Sequence, residues 1–275
     1  MSYKTLLVHA EPAPASEARL DFAVHLAKDL EATLIGIGAE AFPAVAVTDP
    51  YGVSSGALFE ALREQQVGNI ALARKAFEAK AAGTPHEWLE ASDSPSRVMA
   101  RAARGVDLLI VGAVPAGPQD VFRQVDVGEL ILTAGRPVLV APPQGGHLNA
   151  QQVLIAWKDT REARRAVADA LPFLKRAKDV VVLEIHGEED GEGDAASHHT
   201  NEVAKALGRH GIKARARTLT SKDAPEDLIE SEAEAQGADL IVAGGYGHSR
   251  LGEWLMGGMT RRLLQQTRRS VLFSH

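Results

Sequence analysis

Short apolar runs alternate along the chain with longer stretches in which apolar residues recur every three or four positions. The short runs are Thr5 to Ala10, Thr33 to Ile37, His86 to Ala91, Leu108 to Val111 and Val138 to Ala141. A second series follows: Val153 to Trp157, Val180 to Ile185, Lys213 to Leu219, Leu240 to Ala243 and Val271 to Phe273. They are continuous rather than alternating, which is the pattern of strands covered on both faces. The stretch after the first run predicts a helix with Ser16 as N-cap. Leu20, Val24 and Ala27 lie on one of its faces, and Phe22, Leu26 and Leu30 widen it. Further helices are predicted over Ala57 to Ala82, from Ser94 (N-cap) and Pro95 (first turn) to Ala103, and over Thr160 to Leu174, Glu202 to Arg209, Pro225 to Ala235 and Thr260 to Gln266. Strands alternating with helices make an α/β fold with a parallel sheet. Ala41 to Ser55 reads as a loop, and the acidic, Gly-rich Glu188 to Ser197 as an exposed mobile one.

The two series resemble one another. VDLLIVGAVP and GRPVLVAPP near the end of the first half are answered by ADLIVAGGYG and RRSVLFSH in the second, and each half opens on an apolar run. Duplication is the simplest account. Pro142-Pro143-Gln144-Gly145-Gly146-His147 is a Pro/Gly-rich break between the copies, so domains are expected at 1–143 and 151–275.

Composition narrows the class. Of 275 residues 45% are apolar and 24% charged, as in ordinary globular chains. No window approaches the ~20 apolar residues of a spanning helix, and the opening residues lack a basic region followed by an apolar core. No membrane association and a cytoplasmic location are expected. The absence of cysteine excludes disulfides, thiolate catalysis and Cys-type zinc sites. A net charge of −6 argues against nucleic acid as partner. The charge is uneven: residues 1–148 hold 12 basic and 17 acidic side chains, and the remainder 18 and 19.

In open parallel sheets ligands bind beyond the carboxyl ends of the strands. The loop after Leu240–Ala243 runs from Gly244 to Thr260, is rich in glycine, and leads into a predicted helix. Glycines let backbone N–H groups approach an anion, and a helix start adds donors and a positive dipole end. Arg250, Arg261 and Arg262 stand in or beside it. The alternative is a set of glycines that only make turns. Trp157, closing the first strand of the second copy, either stacks on a ring or packs in the core. Asp159 either faces a ligand or caps the next helix, and Tyr246 and His248 either contact a ligand or serve only the loop. His198-His199, beside acidic residues, can be read as zinc or nickel ligands, but adjacent histidines on a loop preset no geometry and a solvated loop is the better reading. His9 and His25 read as satisfied packing residues. P-loop, dinucleotide and nucleophile-elbow motifs are all missing, as are paired carboxylates for an enzymatic acid and base.

Gly244-x2-Gly247-x9-Gly257, with Thr260 three residues on, resembles the nucleotide-binding loop of the universal stress protein family, and the resemblance extends over both copies. It implies a tandem protein built from two Rossmann-like open sheets of order 3-2-1-4-5. Val138–Ala141 and Val271–Phe273 would pair to make an intrachain pseudo-dimer, and two chains could assemble further as a homodimer. It also implies a stress-response regulator with unidentified protein partners and at most slow hydrolysis. ATP or another adenine nucleotide, accompanied by Mg, would bind the second copy, with no tightly bound metal. The residues so implied are Gly244, Gly247, His248, Ser249 and Arg250, then Gly257, Gly258, Met259 and Thr260, with Trp157, Lys158 and Asp159 after the first strand. Two departures stand out: Gly258 replaces a hydroxyl residue, and Lys158 replaces an acid. In the first copy Pro115 replaces the second glycine, and Asp120 and Asp126 repel phosphate. The first-strand acid survives there as Glu11. That copy reads as a scaffold, a partner surface or a different pocket. The competing reading for the whole chain is a non-nucleotide protein that binds partners or another small molecule.

Overall fold

A computed structural model describes residues 2–42, 55–114, 120–187, 193–221, 225–246, 258–266 and 268–275. The first half contains β1 (Thr5–Ala10), α1 (Pro14–Leu30), β2 (Thr33–Ala39), α2 (Ser55–Ala81), β3 (His86–Ala91), α3 (Pro95–Ala102), β4 (Leu108–Gly112), α4 (Val127–Thr133) and β5 (Val138–Ala141). The second contains β6 (Gln152–Ala156), α5 (Arg161–Leu174), β7 (Asp179–Gly187), α6 (Gly193–Arg209), β8 (Ala214–Ser221), α7 (Pro225–Ala235), β9 (Leu240–Gly244), α8 (Gly258–Gln266) and β10 (Ser270–Ser274).

The ten strands among the described residues form one sheet, ordered β3-β2-β1-β4-β5-β10-β9-β6-β7-β8. Each half has the order 3-2-1-4-5, and neighbours within a half are parallel. The halves meet where β5 and β10 run antiparallel, with Val138 opposite Phe273, Leu139 opposite Leu272 and Val140 opposite Val271. Helices cover both faces. Leu6, Val8, Phe173 and Val153 belong to one apolar layer, and Leu7, Ile131, Leu264 and Phe273 to the other. The two halves therefore share both layers.

The likeness of the two halves extends to a detail of the strand starts. The Asp107 carboxylate accepts from the backbone N–H groups of Lys4 (2.8 Å) and Thr5 (3.1 Å). Asp239 accepts from those of Gln151 and Gln152, both at 3.1 Å. Each aspartate immediately precedes the fourth strand of its half and ties down the first.

Several expectations change. Continuous apolar runs predicted burial on both faces, and β1, β4, β5, β9 and β10 have it, but the sheet edges do not: β3 is largely exposed and β8 largely half-buried. Ser16 does not cap α1, which begins at Pro14; its hydroxyl accepts instead from the Glu11 backbone N–H (3.1 Å). Ser94 stands at the N-cap of α3 without a side-chain cap bond. The short α4 follows Asp126, whose carboxylate accepts from the Glu129 N–H (2.9 Å), and the hydrophobic pattern did not reveal it. The predicted acidic loop is helical from Gly193 onward, so α6 is twice as long as the predicted Glu202–Arg209; positions 188–192 lie outside the described residues. Most of the Ala41–Ser55 loop also lies outside them.

Candidate nucleotide site

Pairing of Ala156 with Ala243 puts the carboxyl ends of β6 and β9 side by side. The residues that follow, Trp157 to Asp159 and Gly244 to Tyr246, therefore share one rim. A Cβ on Gly244 would stand 2.6 Å from the Ala163 backbone nitrogen, so only glycine lets the first turn of α5 press against the end of β9. Thr160, not Asp159, caps that turn, its hydroxyl accepting from the Ala163 N–H at 3.3 Å. Asp159 instead pairs with Arg164 in an exposed ion pair, a contact of about 0–1 kcal/mol that a ligand can displace.

Trp157 packs in the core, one of its two expected roles. Its ring belongs to the apolar layer at 8% exposure, yet the residue also lines a cavity of about 580 Å³ with Asp159, Arg164, His198, His199 and Glu202. Its buried indole Nε1 has no hydrogen-bond partner among the described residues. Such an unpaired buried donor costs about 1–3 kcal/mol until something accepts from it. Lys158 is exposed at the rim, and Thr260 is buried on α8. Gly258 and Met259 open α8. Gly247, His248, Ser249, Arg250 and Gly257 lie outside the described residues.

Glu162, in the first turn of α5, is almost fully buried. Burial raises its pKa, but its own backbone N–H, the Thr160 hydroxyl, Arg161 and His275 outweigh that and hold it below the usual carboxylate range. A negative charge is thus fixed close to Gly244. Of the basic residues near the loop, Arg269 is committed to Glu230 and the Ala238 carbonyl.

His198 and His199 lie on α6 rather than on a loop, with His198 Nε2 3.6 Å from Glu202. No cluster of three or more metal-ligating side chains occurs among the described residues.

The first half arranges the same rim differently. Arg19, on α1, is 5% exposed; its Nε donates to the His9 carbonyl (2.9 Å) and its Nη2 to Glu11 (3.2 Å). Nη1 lies 2.7 Å from where a Cβ on Gly112 would be, so the guanidinium occupies space next to the equivalent of Gly244. Asp120 pairs with Arg123 and Asp126 caps α4, so both acids have local structural work; Pro115 lies outside the described residues. His9 and His25 were expected to be satisfied. Each instead has a buried ring nitrogen without a partner among the described residues: Nε2 in His9 and Nδ1 in His25, whose ring lies tilted against that of His147 with centroids 3.9 Å apart. Burial first, and then Arg19, push the His9 pKa well below its ordinary value, so the ring is neutral near pH 7. Sequence reasoning missed Arg19; the signal was a basic residue on the apolar face of α1, eight positions after an acid.

The fold and this rim define an open α/β protein of doubled, parallel-stranded halves with ligand space at the strand ends. Residues 149–275 match the model of the Universal stress protein family. The whole chain shares its fold with a universal stress protein from Archaeoglobus fulgidus DSM 4304, at TM-score 0.72 and 15% identity, covering 98% of this chain and 95% of that one. A functionally unknown protein from Pseudomonas aeruginosa PAO1 gives TM-score 0.62 and 17% identity, covering 99% and 92%. No curated protein matches. No helix among the described residues is long and apolar enough to cross a membrane.

Proposed function

We propose that the chain consists of two copies of one domain, 1–143 and 151–275, and that the second binds ATP or another adenine nucleotide as a regulatory ligand. The observation that carries this reading is Trp157: a buried indole N–H without a partner among the described residues, on a cavity of about 580 Å³, which lies within the usual size range of small-molecule sites. Trp157 and Asp159 would hold the nucleoside end. The glycine positions 244, 247 and 257, with His248, Ser249, Arg250, Gly258, Met259 and Thr260, would receive phosphates, and Lys158 would add positive charge at the rim. Mg would be carried in by the nucleotide. Binding acts by favouring one conformation or partner complex over another.

Calorimetry with ATP, AMP and cyclic AMP tests it. Wild type is expected to bind, Gly247→Val to lose binding, and Trp157→Phe to bind about tenfold more weakly, the loss of one hydrogen bond. No binding by wild type at millimolar nucleotide overturns the proposal. Lys158 in place of an acid, together with the fixed charge of Glu162, favours a second reading in which the site takes a non-nucleotide ligand or partner. Recovery of stoichiometric nucleotide from the denatured protein would overturn that one.

A further inference from the structure

We propose that the first half carries a binding site of its own, for an uncharged small molecule that presents a hydrogen-bond donor and acceptor side by side, of the carboxamide or lactam type. The site is a cavity of about 300 Å³ at the carboxyl ends of β1, β4 and β5. It is separate from the nucleotide reading and does not rest on it.

The cavity has a polar floor and apolar walls. Its floor is His9, Glu11 and Arg19; the walls include Val114, Val125, Val127 and Pro142. The Glu11–Arg19 pair is almost sealed, with side-chain exposures of 10% and 6%. Each charge is already matched. A ligand carboxylate drawn to Arg19 meets Glu11, and a ligand cation drawn to Glu11 meets Arg19, so a third full charge would be buried against a like one at a cost of several kcal/mol. A nucleotide's phosphates fare worst. An uncharged group escapes this penalty and can still use the exposed edges of the pair as donor and acceptor.

The second observation is His9. Its ring is 1% exposed, neutral, and lines the cavity with Nε2 unpartnered among the described residues. A neutral imidazole has one donor and one acceptor nitrogen, and Nε2, the one that lacks a partner here, can donate to an amide in one tautomer and accept from it in the other. Gln124 and Gln265 add neutral amides to the lining. Among the described lining residues, the polar side chains outside the Glu11–Arg19 pair are therefore uncharged.

Gln265 comes from α8 of the second half. The Val114 N–H also donates to the Leu264 carbonyl of that helix at 2.9 Å, so the wall is completed by both halves. The test accordingly uses the full chain.

Benzamide, benzoate and benzamidine, which share a ring and differ in charge, are titrated into nitrogen-15-labelled protein. Benzamide is expected to shift the amides of Ala113, Val114, Val125 and Val127 saturably, with benzoate and benzamidine at least tenfold weaker. Val125→Trp, which fills the cavity from its wall, should abolish the benzamide shifts. His9→Phe keeps the ring and removes the nitrogens, so about tenfold weaker binding is expected; it remains available if the tryptophan variant does not fold. The proposal is overturned if none of the three probes saturates, or if benzoate binds as well as benzamide. Unchanged benzamide shifts in a folded Val125→Trp overturn it, as does displacement of benzamide by ATP.

Discussion

Replacing Gly245 with alanine tests whether the halves fold as one body. Its added Cβ would lie 2.5 Å from Ile131 Cγ2 on α4 of the other half, against an optimum of about 3.5–4.0 Å. The backbone cannot simply withdraw: the Gly245 N–H donates to the Ser274 carbonyl at 2.8 Å, and the Gly245 carbonyl lies 3.0 Å from His275 Nδ1. Ile131, at 2% exposure, must shift inside a packed layer, so a destabilisation of about 1–3 kcal/mol is expected. Ile131→Ala removes Cγ2 and leaves Cβ at 3.9 Å, an ordinary contact. Alone it should cost about 2–5 kcal/mol. In its presence Gly245→Ala should cost nothing, or stabilise by about 0.4–1 kcal/mol through the unfolded chain. Urea unfolding of the four proteins, followed by circular dichroism and by the fluorescence of Trp88 in one half and Trp157 in the other, measures the cycle. Additivity within about 0.5 kcal/mol would refute the cross-half packing.

Asp107→Ala and Asp239→Ala should each destabilise by about 2 kcal/mol, and by similar amounts, because each carboxylate holds two backbone N–H groups at a first strand; denaturant midpoints check this, and a large cost at one site alone counts against equivalent roles. Burial first, and then Asp126, push the Tyr246 pKa from 10 up to about 12. A raised folded-state pKa means stability fully present below pH 10 and lost as pH rises through about 12, with Tyr3 shifted in the same direction. Asp126→Asn should lower the Tyr246 value in a tyrosinate absorbance titration, and Tyr246→Phe should reduce the alkaline loss; an unchanged titration would refute the contact.

The fold was legible because the central strands are apolar on both faces and so write themselves as unbroken runs. The edge strand β3 was found too, but its burial was misjudged, since Trp88 and Leu89 sit in a run whose neighbours His86, Glu87 and Glu90 face water. α4 leaves no mark in the hydrophobic pattern because seven residues hold too few turns to show a period, and from the sequence its cap, Asp126, reads only as a repulsive charge. The pairing of β5 with β10 followed from family resemblance, not from any pattern in the two strands. At the site, Trp157 was singled out by its place at the end of a strand, while the ion pair of Arg19 with Glu11 needs the third dimension: only the return of α1 across β1 shows which carboxylate an arginine on an apolar face will meet.

The seam at β5 also has a consequence in time. Synthesis delivers the all-apolar Val138–Ala141 about 130 residues before Val271–Phe273, an interval on the order of ten seconds at ordinary elongation rates. During that interval the first half can complete its own order of strands, yet it presents a bare, sticky border to whatever is nearby. The last strand is thus a closing piece that silences an adhesive margin, and any chain stalled before it would be released with that margin open to its neighbours.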